Sequence, residues 1–343
     1  MSQCPTPLRH DTIQLAHGGG GRLQQALLDA ILLPQLGNPI LAAQHDAAVL
    51  SVEGARLALS TDSFVVTPRF FPGGDLGELA VYGTVNDLAC AGARPVALSC
   101  GLILEEGLPI AELTQLVASL RAAADRVGVS VVTGDTKVVD RGRGDGLYIN
   151  TTGLGVVSPG CDLRPSRIAS GDVVLVSGDL GRHGAAIMSV RRGLGFDAAL
   201  QSDCAPVWSL AAALLEAQLD VHCLRDPTRG GLAAVLCELS TTAERGITIE
   251  ESALPVHPEV AAVCELLGLD PLYVACEGRL VAFVKEDEAE RALAIWRALP
   301  EGKDAQRVGR VVDAHRGQVV LRTRYGTKRL VDLPSGEQLP RIC

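Results

Sequence analysis

The sequence predicts a mixed α/β (or α+β) fold built of two domains and a short C-terminal tail. The chain has 343 residues, and a domain takes roughly 150 residues, so two domains are expected. Hydrophobic residues make up 47% and charged residues 21% of the chain, which is enough apolar material for a buried core. Segments with strand-like and helix-like apolar spacing alternate in both halves, which favours mixed domains.

The first domain is expected to span residues 1–160. Its strands are predicted at 56–60, 97–104, 130–133 and 148–157, where β-branched and apolar residues alternate between Gly- and Asp-rich turns. Its helices are predicted after the glycine run 18–21, over 77–91 and over 110–127, because apolar residues recur there at helical spacing.

The second domain is expected to span residues 161–333. Its strands are predicted at 172–177, 221–224, 278–284, 307–312, 319–323 and 329–333. Its helices are predicted at 184–190, 206–217, 232–243, 258–267 and 286–299. The last ten residues contain two prolines, one glycine and no apolar periodicity, so they are predicted to form a mobile, extended tail.

Charge and composition argue against several classes of partner. Lys and Arg number 31 against 40 Asp and Glu, a net charge of -9, which disfavours nucleic acid and anionic membranes as partners. No apolar run approaches the roughly 18 residues that span a bilayer, and the first residues lack a signal-peptide pattern. A cytoplasmic protein is therefore expected, with its ten cysteines as free thiols rather than disulfides.

Five aspartates occupy similar sequence settings, each at a strand end or helix start beside small residues. They are Asp46, Asp62, Asp87, Asp135 and Asp226. The carboxyl ends of strands are where α/β folds place their ligand crevice, and carboxylate oxygens suit magnesium nucleotides. Any one of these residues alone is more simply a helix cap or a turn former. Five in matching contexts favour a metal–phosphate site.

Other candidate residues are individually ambiguous. Gly20 and Gly21 precede a helix, so their N–H groups suit an anion, or the run is only a flexible lead-in. Lys137 follows Asp135 by two, which indicates a phosphate contact, a base or simply a surface ion pair. Glu277 interrupts an apolar stretch, as a turn former or as a buried carboxylate that transfers protons. Spacing alone favours the structural interpretation for Lys137 and Glu277.

The chain ends on a cysteine, Cys343. A prenylation box needs three residues after its cysteine, so that modification is excluded. A thiol on a mobile tail is expected to be exposed, and a thiolate is a strong nucleophile. The position is also compatible with an incidental terminal cysteine. Ten extended residues reach about 33 Å, so this thiol could cross a domain surface.

Several motifs together resemble the HypE family of hydrogenase maturation factors. The resemblance covers essentially the whole chain, and the terminal PRIC motif is its most specific part. The motifs are STD at 60–62, FPGG at 71–74, ND at 86–87 with GA at 92–93, GDTK at 134–137, DPTRGG at 226–231 and PRIC at 340–343. The aspartate motifs are shared with a wider PurM-like superfamily of ATP-using enzymes.

The resemblance implies a two-domain PurM-like fold whose N-terminal domains pair into a homodimer. It also implies ATP as cosubstrate, with Mg²⁺, in a cleft walled by both domains. The implied reaction is dehydration of a terminal cysteine S-carboxamide to S-cyanate, the cyanide source for [NiFe] hydrogenase. The carbamoyltransferase HypF would load the thiol, and the HypC–HypD complex would receive the cyanide.

Matching positions carry the implied roles. Cys343 would be the carrier, and Lys137 with Glu277 would orient the thiocarboxamide and remove its N–H protons. Gly20 and Gly21 would cover phosphate. The residues implied to hold the nucleotide are Asp46, Asp62, Asn86, Asp87, Asp135 and Asp226, and those implied as metal ligands are Asp46, Asp62, Asp87 and Asp135.

Two other classes of function remain open at this point. The first is another ATP-using enzyme of the superfamily, such as a selenophosphate synthetase or a small-molecule kinase. The second is a carrier without enzymatic activity, which presents Cys343 to partners and binds nucleotide as a switch. Turnover of ATP that depends on the carbamoylated thiol would distinguish an enzyme from a carrier.

Overall fold

A five-stranded sheet forms the first half of the molecule. The computed structural model describes residues 11–194, 200–334 and 339–343. The strands of this half are β1 (Ala48–Val52), β2 (Ala55–Phe64), the short pair β3 (Phe70–Phe71) and β4 (Gly74–Asp75), β5 (Ala93–Glu105), β6 (Ser130–Val139) and β7 (Leu147–Val157). The sheet order is β1-β2-β7-β5-β6. Its pairs are antiparallel except β5 with β6. Since β6 is last in this order, it is an edge strand.

One buried helix covers a single face of this sheet. The helices of the first half are α1 (Arg22–Leu27), α2 (Leu33–Leu36), α3 (Leu76–Cys90) and α4 (Ile110–Val127). The side chain of Asp75 caps α3 by accepting from the N–H groups of Gly77 (2.8 Å) and Glu78 (3.0 Å). A Cβ on Gly83 would lie 2.7 Å from the Phe64 ring, so this glycine lets α3 approach β2 closely.

A seven-stranded sheet forms the second half. Its strands are β8 (Val173–Val176), β9 (Val221–Arg225), β10 (Gly246–Glu250), β11 (Val281–Val284), β12 (Gln306–Val312), β13 (Val319–Arg322) and β14 (Lys328–Val331), in the order β14-β13-β10-β12-β8-β11-β9. Its helices are α5 (Arg182–Arg192), α6 (Trp208–Glu216), α7 (Gly231–Thr242), α8 (Pro258–Leu267) and α9 (Ala289–Arg297). The predicted α/β class is confirmed, whereas β1, β10 and the two-residue strands β3 and β4 were not predicted.

Apolar packing is continuous between the two halves. Leu79 of α3 belongs to the same buried cluster as Ile187 of α5. Leu88, near the other end of α3, packs in a second cluster with Trp296 of α9. The strands separate into two sheets between β7 and β8, but α3 contributes to the core on both sides. The division at residues 160 and 333 stays a prediction.

The end of the chain is docked against the molecule. The N–H of Val65 donates to the main-chain oxygen of Cys343 (3.0 Å), and the N–H of Thr67 donates to that of Arg341 (3.3 Å). Leu339 and Ile342 are buried, and Cys343 is half-buried. The expectation of an exposed thiol was therefore wrong. The two apolar side chains and the main-chain hydrogen bonds anchor a segment whose composition alone indicated a free tail.

Within the described ranges, no helix is both long enough and apolar enough to cross a membrane.

Candidate active site

Acidic side chains from both halves converge on one cleft. Asp62 lies on β2 and Asp87 on α3, while Asp46 immediately precedes β1. From the other half, Asp226 follows β9 and Glu277 precedes β11. Sequence reasoning predicted all five. Asp226 and Glu277 are almost fully buried, at 7% and 3% exposure, which makes their negative charge costly unless something compensates it.

Only part of this charge is balanced within the described residues. The Arg225 Nε atom lies 2.7 Å from Asp46 Oδ1, and its Nη2 lies 3.0 Å from Glu238 Oε2. The Ser60 hydroxyl donates to Asp87 Oδ2 at 2.5 Å. Asp46 Oδ2 is buried and has no hydrogen-bond partner. The cleft thus keeps uncompensated carboxylate oxygens, as expected of a cation site.

The carboxylates perturb one another's acidity. Burial, followed by the charges of Asp226, Asp46 and Asp62, raises the pKa of Asp87 well above its ordinary value. Burial and then Asp46 likewise raise the pKa of Asp226. The pKa of Asp62 is raised by burial. Mutual repulsion of this kind is relieved when a cation binds between the carboxylates.

The donor atoms near Asp46 fit a divalent cation. One carboxylate oxygen of Asp46, one of Asp226 and the sulfur of Cys90 lie within 4.8 Å of one another. Hard carboxylate oxygens are the protein ligands that Mg²⁺ accepts, together with substrate phosphates. The buried, partnerless Asp46 Oδ2 is the oxygen that such a cation would satisfy.

The main chain of Glu277 is held by hydrogen bonds, while one oxygen of its carboxyl group has no hydrogen-bond partner. The carbonyl of Glu277 accepts from the Ala205 N–H (3.3 Å) and from Asn86 Nδ2 (3.4 Å). Its Oε1 is buried without a hydrogen bond. Burial, then the charges of Asp226 and Asp203, raises its pKa well above the ordinary value. A buried carboxyl group with a raised pKa suits proton transfer.

Asn86 supports this arrangement. Its Nδ2 also donates to the Ala205 carbonyl (3.1 Å), and its Oδ1 accepts from the Val207 N–H (2.9 Å). Both polar atoms of this buried amide therefore tie α3 to residues 205–207, and Nδ2 also bonds to the carbonyl of Glu277. Its implied contact with nucleotide stays a prediction, and what the geometry adds is a positioning role.

The terminal thiol lines a cavity at the edge of the same cleft. The cavity has a volume of about 280 Å³, and its walls include Cys343, Ile342, Arg229, Gly18 and Ser63. Burial raises the pKa of the Cys343 thiol, and the charge of Glu277 adds to this. The docked thiol is therefore neutral near pH 7, so its sulfur is a poor nucleophile while it is docked.

Arg229 is the functional residue that sequence reasoning missed. The charge of Cys343, when ionised, is the main cause of its raised pKa, and Asp62 and Glu277 also contribute. Its Nη1 donates to the Gly18 carbonyl (3.2 Å), so the arginine joins the glycine run to the cleft. The signal was present in the DPTRGG motif, where a cation sits three residues after Asp226.

The glycine run packs against Arg229 and the start of the tail. The N–H of Gly20 donates to Gln24 Oε1 (2.7 Å), and a Cβ there would contact the Arg229 main chain at 2.9 Å. A Cβ on Gly21 would meet the Pro334 carbonyl at 2.4 Å. Close packing requires both glycines here. Their implied phosphate contact stays a prediction.

Two implied site residues lie away from the cleft of their own chain. Asp135 and Lys137 lie on the edge strand β6 and pair with each other at 2.6 Å, with about two thirds of each side chain exposed. Strands β7 and β5 separate them from β2, which carries Asp62. Within one chain, Asp135 is therefore not a co-ligand of the other aspartates. The spacing suggested a shared site because it does not reveal strand order.

Comparison with known proteins identifies the family of this chain. Residues 44–157 match the family model "AIR synthase related protein, N-terminal domain", and residues 169–322 match its C-terminal domain. The chain is 51% identical over 338 residues to the carbamoyl dehydratase HypE of Rhodobacter capsulatus, covering 98% of this chain and 99% of that relative. It is 49% identical to the Escherichia coli K12 protein of the same name, covering 97% and 100%.

Solved structures agree. A crystal structure of HypE in complex with ATP superposes with a TM-score of 0.82 at 47% identity, covering 97% of this chain and all of that one. A chain of the HypE–HypF complex gives a TM-score of 0.85 at 44% identity, covering 90% and 100%. Two sheets around an acid-lined cleft define a PurM-like, AIR synthase related protein. Within that class, the chain belongs to the HypE family of carbamoyl dehydratases.

Proposed function

We propose that this carbamoyl dehydratase acts on its own last residue. ATP would drive loss of water from a carboxamide carried on the Cys343 sulfur, giving the S-cyanate that supplies cyanide to the iron of [NiFe] hydrogenase. The observation that carries the proposal is the docking of Cys343 in a cavity that Ser63 and Arg229 also line, at the edge of the acidic cleft. Burial, and then the negative charge of Glu277, raises the pKa of the Cys343 thiol.

Activation of the oxygen is the difficult part of this dehydration. The carboxamide oxygen attacks the γ-phosphorus of ATP, the bond from that phosphorus to the bridging oxygen breaks, and ADP leaves. The carbon then holds its oxygen as a phosphate ester, a far better leaving group. Loss of both N–H protons and cleavage of the C–O bond give S–C≡N and inorganic phosphate. The oxygen of the lost water thus leaves in the inorganic phosphate, and its two hydrogens leave as the two N–H protons. No atom changes its oxidation state.

Glu277 is the proposed base for the N–H protons. Its burial and its acidic neighbours raise its pKa, so its ionised form is a stronger base than an ordinary carboxylate. The bonds that its carbonyl accepts from Ala205 and Asn86 fix the main chain of Glu277. Arg229 lines the thiol cavity and supplies a positive charge beside the reacting group.

The aspartate cluster is proposed to hold the nucleotide through Mg²⁺. Asp46, Asp62, Asp87 and Asp226 would hold the ion and orient the phosphates, which their convergence and raised pKa values support. When bound, Mg²⁺ supplies positive charge that offsets the charge of the transferring phosphoryl group.

Lys137 and Asp135 are proposed to act in a homodimer. They lie on the sheet whose uncovered face exposes Leu59, Ile103 and Leu154 at 41%, 46% and 38%. Apolar side chains on an uncovered sheet face mark an interaction surface. Two copies paired there would bring the Asp135–Lys137 pair of one chain toward the cleft of the other. The implied roles of these residues are therefore proposed in the partner's site.

Loading and delivery require other proteins. HypF is the proposed donor of the carbamoyl group, which one relative supports through the HypE–HypF complex. The HypC–HypD complex is the proposed recipient. The nine described cysteines are all free, which fits a reducing compartment such as the cytoplasm.

The carrier role is tested by mass spectrometry of the C-terminal peptide. Purified protein is incubated with HypF, carbamoyl phosphate and ATP. The wild-type peptide is expected to gain one carbamoyl group and then lose one water, whereas Cys343→Ala gains nothing and still binds ATP. Cys237→Ser, which changes a half-buried cysteine of α7, is the matched control and is expected to behave as wild type.

Each possible failure points to a different alternative. A carbamoyl group on the Cys343→Ala protein would contradict the carrier role. A loaded wild-type peptide that never loses water while ATP is bound would favour a nucleotide-switched carrier without enzymatic activity. ATP turnover that ignores loading would favour another enzyme of the superfamily.

A further inference from the structure

The docked tail is held from one side by helix α5. His183 Nε2 lies 2.7 Å from the carbonyl oxygen of Ile342. Further along the same helix, the Arg191 guanidinium donates to the carbonyls of Pro340 and Arg341. Three successive tail carbonyls thus accept hydrogen bonds from two side chains of α5. Because these bonds are made to main-chain carbonyls, they fix the position of the tail along α5 independently of the tail's side chains.

The other side of the tail meets residues that follow β2. The N–H groups of Val65 and Thr67 donate to the main-chain oxygens of Cys343 and Arg341, and Arg341 Nε donates to the Val65 carbonyl (3.2 Å). Arg341 also pairs with Asp145. The tail therefore lies between the two halves like a short added strand, and a strand has a register.

His183 is oriented before it meets the tail. The ring is fully buried, and Phe71 packs against it edge-on at 5.4 Å. Its Nδ1 lies 2.8 Å from Ser202 Oγ, and that oxygen already accepts from the Cys204 N–H (3.0 Å). The Ser202 proton is thus free to go to Nδ1, which leaves the proton of the neutral imidazole on Nε2, facing the Ile342 carbonyl.

We propose that His183 is a positioning residue for the dehydration, which fixes the register of the docked tail so that the Cys343 sulfur faces Glu277. Arg191 fixes the same register through its hydrogen bonds to the Pro340 and Arg341 carbonyls. The bond to Ile342 is one residue from the thiol, and a slip by one residue would move the sulfur about 3.3 Å and turn it to the opposite side of the tail. The proposal rests on the proposed function, because it assigns a role in the same reaction.

The first test measures tail docking without any chemistry of ATP. Alkylation of Cys343 by iodoacetamide is followed by mass spectrometry in wild type, His183→Phe and His183→Gln. Phe keeps the packing against Phe71 but lacks a donor, so alkylation is expected to be roughly tenfold faster, as for the loss of one hydrogen bond. Gln retains an N–H donor and is expected within about threefold of wild type.

The second test measures the reaction in a single turnover. Carbamoylated protein is mixed with ATP, and loss of water is timed. His183→Phe is expected to slow water loss roughly tenfold with unchanged affinity for ATP, and His183→Gln to restore most of the rate. Ser189→Ala is the matched control on α5, because that hydroxyl bonds within the helix to the Ala185 carbonyl (2.8 Å).

The results separate this proposal from the function on which it rests. Wild-type alkylation and water-loss rates in His183→Phe would overturn the positioning role. Absence of water loss in the wild type would overturn the proposed function, while the alkylation series would still decide whether His183 holds the tail. If His183→Phe fails to fold, Arg191→Met takes its place, because Arg191 is only half-buried. A wild-type rate of Cys343 alkylation in Arg191→Met would then overturn the proposal that these side chains of α5 hold the tail in register.

Discussion

Asp87 shows how a residue that is placed to bind a ligand can lower the free energy of unfolding of the unliganded protein. In the free protein its carboxyl group is crowded by three other aspartates, and burial raises its pKa above the ordinary value of 3.8. A group whose pKa is raised on folding stabilises the folded state below its unfolded pKa and loses that contribution as pH rises through the folded pKa. As pH rises above 3.8, Asp87 therefore lowers the stability of the free protein until a cation binds.

Replacing Asp87 by Asn is expected to stabilise the free protein at pH 8, by about 1 kcal/mol or more. The gain should shrink as pH falls through the folded-state pKa toward 3.8 and vanish below that value, where Asp87 is neutral in both states. Urea unfolding of wild type and Asp87→Asn at several pH values, without nucleotide, measures this. The same variant should lose ATP turnover while its thiol still accepts a carbamoyl group. A variant less stable than wild type at pH 8 would contradict the raised pKa.

Sequence reasoning identified most single residues of the cleft, and the exceptions have physical causes. Asp62 and Asp87 stand out because carboxylates interrupt small-residue contexts, whereas the role of Glu277 was implied only by the family resemblance. Arg229 was missed because its role depends on where the tail docks, which is a contact between residues more than one hundred positions apart. Lys137 was assigned correctly as the partner of Asp135, but its distance from Asp62 depends on strand order.

Helix α3 is the element on which the site depends. It carries Asn86 and Asp87, packs on the first sheet and reaches the core of the second half through Leu88. Its fit against β2 requires Gly83, where a Cβ would lie 2.7 Å from Phe64. Sequence patterns located α3 to within one residue at each end because its apolar spacing is regular. They missed β10, which is only five residues long, although Ile247 and Ile249 alternate there with Thr248 and Glu250.

Gly83→Ala is expected to destabilise the protein by about 1–3 kcal/mol, because overpacking against Phe64 outweighs the better helix propensity of alanine. Gly101→Ala is the matched control. Its nearest neighbour would be 3.8 Å away, so the free energy of unfolding should change by less than about 0.5 kcal/mol. Denaturant unfolding distinguishes the two, and equal stability of both variants would show that α3 can move away from β2.

At the scale of the whole molecule, the first sheet is covered on one side only. Leu59 of β2 and Leu154 of β7 are directly paired across the strands and expose about two fifths of their surfaces. The alternation of apolar and polar residues predicted these strands, but it could not indicate that both faces are apolar enough to need cover. That feature depends on which face α3 occupies.

Leu154→Glu is expected to convert the proposed homodimer into a monomer, because it buries a charge in an apolar interface. Size-exclusion chromatography with light scattering measures the mass. Ile110→Glu, at an exposed position of α4 (76% exposed), is the control and should remain a dimer. If Lys137 acts across this interface, the monomer also loses dehydration, whereas a fully active monomer would exclude that role.

The docked tail has a kinetic consequence. Since the reacting group is joined covalently to the catalyst, its effective molarity at Glu277 is set by the docking equilibrium rather than by how much protein is in solution. Diluting the loaded protein at saturating ATP should leave the first-order rate constant for formation of the Cys343 S-cyanate unchanged, provided that the dimer persists. Each molecule then completes one turnover and has to be reloaded, so each loading of one chain supplies at most one cyanide.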